Sequence, residues 1–191
     1  MVVQAGSVQK ASFYVFLGML CISINDLFVK QFSKNYPLHE IIFIRSLIAI
    51  LFTLLLVKSE GGLKILKTQQ PIQHALRAVA IFLCNMIFFS AIATLPLATA
   101  TALFFVAPIF ITLLSIPLLG EKVGIRRLLA VIIGFLGVFI MMKPNTWTMS
   151  DIPPFIYFLP VIAAVLYALM QIMTRKLSKS SKPAALAFYI Q

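Results

Sequence analysis

Apolar residues fall into six long blocks along this 191-residue chain, at roughly 12–31, 38–57, 75–93, 95–119, 125–142 and 154–173. A hydrocarbon core about 30 Å thick needs about 20 apolar helical residues, and the blocks are close to that length. None carries the sustained charged face that a helix on a soluble core turns to water. The pattern predicts an all-α, polytopic membrane helix bundle of about six transmembrane helices. A seventh apolar run opens at Pro183 and meets the chain end at Gln191.

The connections between blocks are short, which favours antiparallel neighbours. Asn35-Tyr36-Pro37 turns the chain after the first block, and Thr94-Leu95-Pro96 joins the third to the fourth with almost no loop. Gly61-Gly62 and Pro71 interrupt a longer connection whose Leu63, Ile65 and Leu66 suit the membrane surface. Trp147, Tyr36 and Tyr157 stand where an interfacial aromatic belt is expected.

Composition fits the same solvent. Hydrophobic residues make up 61% and charged residues 11%, against about 45–50% and 25% in soluble domains. The net charge of +11 would suggest nucleic acid in a soluble protein, but its distribution points elsewhere. Alternate connections hold Lys10; Lys58, Lys64, Lys67 and Arg77; Lys122, Arg126 and Arg127; and Arg175, Lys176, Lys179 and Lys182. The opposite connections hold Lys30, Lys34 and Lys143, with Arg45 inside a span. Twelve cations against three is a positive-inside bias that puts the N-terminus in the cytoplasm, as in a multi-pass inner-membrane protein. The expected partners are a small-molecule solute and the lipid bilayer, with no nucleic acid; pairing into a homodimer stays open.

Cys21 and Cys84 lie inside apolar blocks, with neither a disulfide framework nor a metal spacing. The first block is too long for a signal-peptide core and carries Asn25-Asp26, so it reads as an uncleaved helix. No nucleophile–base set, metal cluster or phosphate-cradling loop stands out, so no cofactor and no enzymatic activity are expected.

Ionisable groups inside a span are costly and mark candidate sites. Asp26 and Arg45 sit about five and seven residues inside the outer ends of their blocks, at depths that agree within a few Å. With Lys30 and Glu40 they could form a four-charge cluster, either a site for a charged or zwitterionic solute or a structural ion pair. Asn25, Asn85 and Gln171 are uncharged polar groups near mid-membrane, suited to interhelical hydrogen bonds or to a cavity lining. In the fourth block Thr101, Phe105, Pro108, Thr112 and Ser115 follow helical spacing on one face, with Pro108 as a kink. Pro160, Ala164, Tyr167 and Gln171 do the same in the sixth. Gly134 and Gly137 form a smooth patch for close helix packing. Glu121, Arg126 and Arg127 read as interface charges, and His39 and His74 as solvated groups near helix ends.

One segment echoes another. Lys30-Gln-Phe-Ser-Lys34 followed by Pro37 resembles Arg175-Lys-Leu-Ser-Lys179 followed by Pro183, and Gln171 then matches Asp26. Five blocks separate the copies, an odd number, so they would face opposite ways across the membrane, as in transporters with inverted repeats.

The run Leu95-Pro-Leu-Ala-Thr-Ala-Thr-Ala-Leu-Phe-Phe-Val-Ala-Pro108, then Leu119-Gly-Glu-Lys-Val-Gly-Ile-Arg-Arg127 and Gly134-Phe-Leu-Gly137, resembles the EamA-type drug/metabolite transporter family. Asn25-Asp-Leu-Phe-Val-Lys30 and Phe43-Ile-Arg45 resemble one bacterial branch of it. The resemblance implies inverted five-helix repeats, with 12–142 as the first repeat and 143–191 as an external loop, helix six and the truncated start of the second. It also implies alternating access around a cavity lined by helices one, three, four and six, with helix five peripheral. The mid-membrane glutamate of related small multidrug carriers is replaced here by Asn25-Asp26 nearer the outside, which leaves proton coupling unassigned. The expected function is a permease for a small polar or amphipathic metabolite. A non-transporting fragment is the first alternative and a membrane-embedded enzyme the second.

Overall fold

A computed structural model describes residues 5–142 apart from 69 and 122, and residues 152–190 apart from 179. The expected belt residue Trp147 and the cation Lys143 lie outside the described residues. The described chain runs α1 (Ala5–Phe32), α2 (Leu38–Glu60), a 3-10 turn (Leu63–Leu66), α3 (Pro71–Thr94), α4 (Leu97–Phe104), α5 (Ala107–Leu119), α6 (Ile125–Met142), a second 3-10 turn (Pro154–Phe158), α7 (Leu159–Leu177) and α8 (Pro183–Phe188). No strand occurs among the described residues.

Five helical stretches among the described residues are long and apolar enough to cross a membrane: Ser12–Phe32, Leu38–Glu60, Pro71–Thr94, Leu97–Leu119 and Pro154–Leu177. The fifth block is α6, whose 18 residues span about 27 Å. The seventh apolar run begins as α8.

The fourth block differs from expectation. It is broken at Phe105–Val106, with α5 restarting so that Pro108 occupies its first turn. A proline inside a helix removes one hydrogen bond and presses its ring on the carbonyl four residues back. In the first turn that N–H is unpaired anyway. The break therefore removes the conflict that a mere kink would have left. It also destroys the single face: Thr112 and Ser115 are buried, whereas Phe105 is 75% exposed and Pro108 is exposed.

α3 is the centre of the bundle. Its buried stripe runs through His74, Arg77, Cys84, Phe88, Ala91 and Ile92 at helical spacing. It packs mainly on α7, where Ala163, Ala164 and Ala168 are fully buried. Small residues let the two backbones approach, close enough for Cys84 Sγ to donate to the Ala163 carbonyl at 3.3 Å. The outer faces of α1 and α2 stay apolar and bare, including Phe13, Phe16, Phe43 and Phe52. Such surface suits lipid contact.

Segments assigned to the same side by charge meet in space. Arg175 reaches Glu121 at 3.6 Å, and Lys182 donates to the Glu60 carbonyl at 2.9 Å. At the other end Lys30 donates to carbonyls where α3 gives way to α4. The exposed Arg175–Glu121 pair adds little stability, about 0–1 kcal/mol; its value is as a marker of which ends lie together.

The two echoing segments share their local bonding. Ser33 N bonds the Val29 carbonyl as Ser178 N bonds that of Thr174, and Tyr36 N bonds that of Phe32 as Ser181 N bonds that of Leu177. Ser33 Oγ donates to the Lys30 carbonyl at 3.0 Å, as Ser178 Oγ does to that of Arg175 at 2.9 Å. The residues preceding α2 and α8, Pro37 (φ −67°, ψ 141°) and Lys182 (φ −70°, ψ 151°), have nearly the same backbone conformation.

Of the two α6 glycines, Gly134 has the close contact. A Cβ there would come within 2.7 Å of Ile109 Cδ1 on α5, whereas one at Gly137 would meet nothing within 4 Å. Gly134→Leu is expected to lower stability to unfolding in detergent by about 1–3 kcal/mol, and Gly137→Leu by no more than about 0.5 kcal/mol. Equal losses at the two positions would mean that α6 does not rest on α5 through Gly134.

Candidate solute site between the first three helices

α1 packs on α3 and α4, and α2 on α3. Between α1 and α2 lies a cleft of about 730 Å³, a volume in the range of small-molecule sites. Phe32, Tyr36 and Glu40 line it near the turn between the two helices, and it reaches as far as Cys21 and Ile48. The walls are mostly apolar, from Ile24, Phe28, Val29, Ile41 and Ile44. Two of the predicted site residues, Asn25 and Arg45, supply polar groups.

The expected four-charge cluster does not assemble. Lys30 turns away from Asp26 and donates to the carbonyls of Ile92 at 2.6 Å, Ala93 at 3.4 Å and Leu95 at 2.7 Å. The last carbonyls of a helix have no partner within it and carry the negative end of its dipole. In an apolar medium they attract a cation that sequence spacing alone would assign to Asp26, one turn away.

Asp26 and Arg45 do not form an ion pair within 4 Å; they sense each other's charge at longer range. Asp26 Oδ1 accepts from Asn25 Nδ2 at 3.2 Å. Arg45 makes no side-chain hydrogen bond among the described residues. Its Nε is buried without a partner, and its guanidinium carbon stands 5.2 Å from the centre of the Phe89 ring. A cation over an aromatic face is stabilised by roughly 0.5–2 kcal/mol, less than a hydrogen-bonded carboxylate would give. Arg45 is thus a donor-rich group at a cleft wall with its hydrogen-bonding capacity unspent.

Two of the remaining predicted residues, Gln171 and Tyr167, form a second group. Gln171 Nε2 donates to Tyr167 Oη at 2.6 Å on α7. Tyr167 packs edge-on against Phe104 of α4 at 5.4 Å, and Phe104 lies 4.5 Å from Phe88. Asn85 is half-buried on α3, one turn before Phe89. Thr101 spends its hydroxyl on the Leu97 carbonyl at 2.8 Å, and Thr112 and Ser115 likewise bond within their own helix. Phe105 and Pro108 face away from both groups of inward-facing residues. Phe104 takes the inward place that periodicity assigned to Phe105, because the break resets the helical phase.

Sequence reasoning also missed Phe89, which no pattern separates from other apolar residues of the third block. It misplaced His74 as well. That ring is 2% exposed, lies 4.5 Å from the Tyr189 ring, and has Nε2 3.4 Å from Ser181 Oγ. Arg77, counted among the connecting cations, is 1% exposed inside α3. His39 is exposed, as expected.

Comparison with known proteins adds to this geometry. The model of the EamA-like transporter family matches residues 9–143. The chain belongs to that family. Its relatives include an S-adenosylmethionine uptake transporter of Rickettsia prowazekii, 28% identical over 91% of this chain and 57% of the relative. A riboflavin transporter of Vibrio cholerae is 30% identical over 95% of this chain and 60% of the relative. A pseudopaline exporter of Pseudomonas aeruginosa is 30% identical over 91% of this chain and 59% of the relative. The chain therefore spans somewhat over half the length of these curated relatives. No solved structure matches it. Family and apolar helices together make this EamA-like chain a multi-pass membrane protein.

Lys30→Met keeps the apolar stem and removes the ammonium from the end of α3. It is expected to cost about 1.5–3 kcal/mol, as for loss of a hydrogen bond from a charged group. An unfolding midpoint equal to wild type, measured in detergent, would show that the carbonyls are satisfied another way.

Proposed function

We propose that this EamA-like chain carries a small amphipathic metabolite with an anionic group across the inner membrane by alternating access, its N-terminus in the cytoplasm. The single observation that carries the solute class is Arg45, a cation without a hydrogen-bonded partner at the wall of an apolar cleft. A carboxylate or phosphate would fill the guanidinium's vacant donors with short, charge-assisted bonds. The apolar walls and the Phe28 and Tyr36 rings would take the rest of the solute. Asp26 and Glu40 nearby leave room for a positive group on the same solute, so a zwitterion also fits.

The transporter names of the relatives favour a carrier over an enzyme. The lopsided cation distribution supports the orientation. The shared bonding of the two echoing segments supports an inverted repeat, with 12–142 as the first copy and α7 and α8 opening the second.

Uptake into vesicles containing the protein tests the reading, with labelled S-adenosylmethionine and riboflavin as first probes because relatives are named for them. Arg45→Gln is expected to lower uptake of the transported solute tenfold or more, about the loss of one charged hydrogen bond. Because Asp26 and Arg45 are not ion-paired, Asp26→Asn should not restore the activity that Arg45→Gln removes. Recovery in the double variant would make the two a structural pair and sink the assignment of Arg45 to the solute.

A further inference from the structure

The cleft reaches the turn between α1 and α2; at the opposite end of the bundle, three sets of contacts tie α8 to the rest. The first is Arg77 of α3, which donates through Nη2 to the Leu186 carbonyl of α8 and through Nη1 to Thr174 Oγ1 of α7, the latter at 3.3 Å. The second is Tyr189, just past α8. Its ring lies against His74 of α3, and its hydroxyl donates to the Leu66 carbonyl in the turn after α2. The third is Glu60, at the end of α2. Its carbonyl accepts from Lys182 at 2.9 Å and its carboxylate from the Ala184 N–H at 3.4 Å.

We infer that these contacts are a latch that seals the cytoplasmic end of the bundle while the cleft stands open on the far side, with Arg77 as its positioning residue. The inference rests on reading the cleft as a solute path.

The physical case lies in how the contacts depend on one another. Arg77 is almost fully buried, and both of its hydrogen-bond partners lie on α7 and α8. Were α8 to shift, the guanidinium would lose its carbonyl partner while still surrounded by apolar side chains. A buried charge that loses its partner is strongly destabilised unless water enters. Intermediate positions of α8 are therefore disfavoured. The sealed arrangement and a hydrated, open one are the two that give the outer guanidinium nitrogens partners, which is the bistability that a switching element needs. α8 also stands where the echo places the counterpart of α2. Motion of the second copy against the first would act on these contacts together with the α3–α7 packing.

The two cysteines provide the test. Cys21 lines the cleft and is exposed, whereas Cys84 is buried with its thiol on the Ala163 carbonyl. Sealed vesicles of each orientation, carrying the whole chain, are treated with a membrane-impermeant methanethiosulfonate. In wild type, Cys21 should react from the non-cytoplasmic face and Cys84 should stay protected. Arg77→Gln should slow that reaction about tenfold, the worth of a hydrogen bond to a charged group, and make Cys21 reactive from the cytoplasmic face. Arg77→Lys should recover part of the wild-type sidedness. Tyr189→Phe, which keeps the ring on His74, should shift the balance the same way by a smaller factor.

Wild-type rates and sidedness in Arg77→Gln, with Cys84 still protected, would overturn the latch and leave the cleft standing as the solute path. Should Arg77→Gln expose Cys84, and so have failed to fold, Tyr189→Phe decides: unchanged sidedness there overturns the latch. Cys21 unreactive from both faces in wild type would overturn the solute path, and the latch with it.

Discussion

In hydrocarbon, a backbone carbonyl at the end of a helix has no water to turn to, and an unsatisfied polar group costs several kcal/mol. The arrangement of α1, α2 and α3 follows from how the end of α3 meets that demand. Lys30 brings one ammonium to the carbonyls of Ile92, Ala93 and Leu95. That bond set holds α1 on α3, with Val29 of α1 buried in the same cluster as Ile92. α2 follows after a short turn and also docks on α3, through Ile42. Two helices held on a common third one at separate places leave a gap between them. The cleft is therefore a product of the cap as much as of the residues that line it.

The opposite half of the bundle relies on close approach. α7 sets Ala163, Ala164 and Ala168 against α3, where all three are fully buried. Rings pack beside them, Phe88 on Phe104 and Phe104 on Tyr167. Phe88 and Phe89 are consecutive on α3, with ring centres 6.2 Å apart, one ring in the aromatic stack and the other under Arg45. α3 thus connects the packed side of the bundle to the open side through two adjacent side chains. A shift of α7 against α3 would be felt at Arg45 by way of Phe88 and Phe89.

Much of this architecture was legible in the chain because the bilayer imposes a length and a polarity on every span. The block boundaries and the near-absent loop at Leu95-Pro96 need no knowledge of neighbours. Charge alternation likewise reported which connections share a side, and the contacts Arg175–Glu121 and Lys182–Glu60 join ends that it had grouped together. What escaped depends on a partner in space. Lys30 could bond one turn back to Asp26 or across to the end of α3, and sequence spacing knows only the first choice. Arg77 and His74 fall near a helix end, where water is the default partner until α8 covers them. Phe104 displaced Phe105 because a proline four residues on broke the helix, and a face drawn through both sides of a break has no meaning. The glycines divide the same way: Gly134 meets Ile109, while Gly137, one turn on, meets open space.

Among the described residues, three cations of the spans are buried or half-buried, and comparing them isolates the one that makes no hydrogen bond. Each sits in a medium that penalises a bare charge, so each should collect partners wherever the fold provides them. Lys30 is saturated by three carbonyls, and Arg77 bonds a carbonyl and a hydroxyl through its two outer nitrogens, its Nε alone unpartnered. Both are thereby committed to holding helices together. Arg45 sits as near to a carboxylate in sequence pattern as Lys30 does, yet it closes no ion pair, meets only the face of Phe89, and borders the cleft between α1 and α2. If its purpose were structural, a small rotation of α2 toward Asp26 would serve it better than the separation observed. A guanidinium with no hydrogen bond gives up more stability than one with two, as at Arg77. On the proposed function, a solute with an anionic group that enters the cleft would offset that cost by completing the bonds.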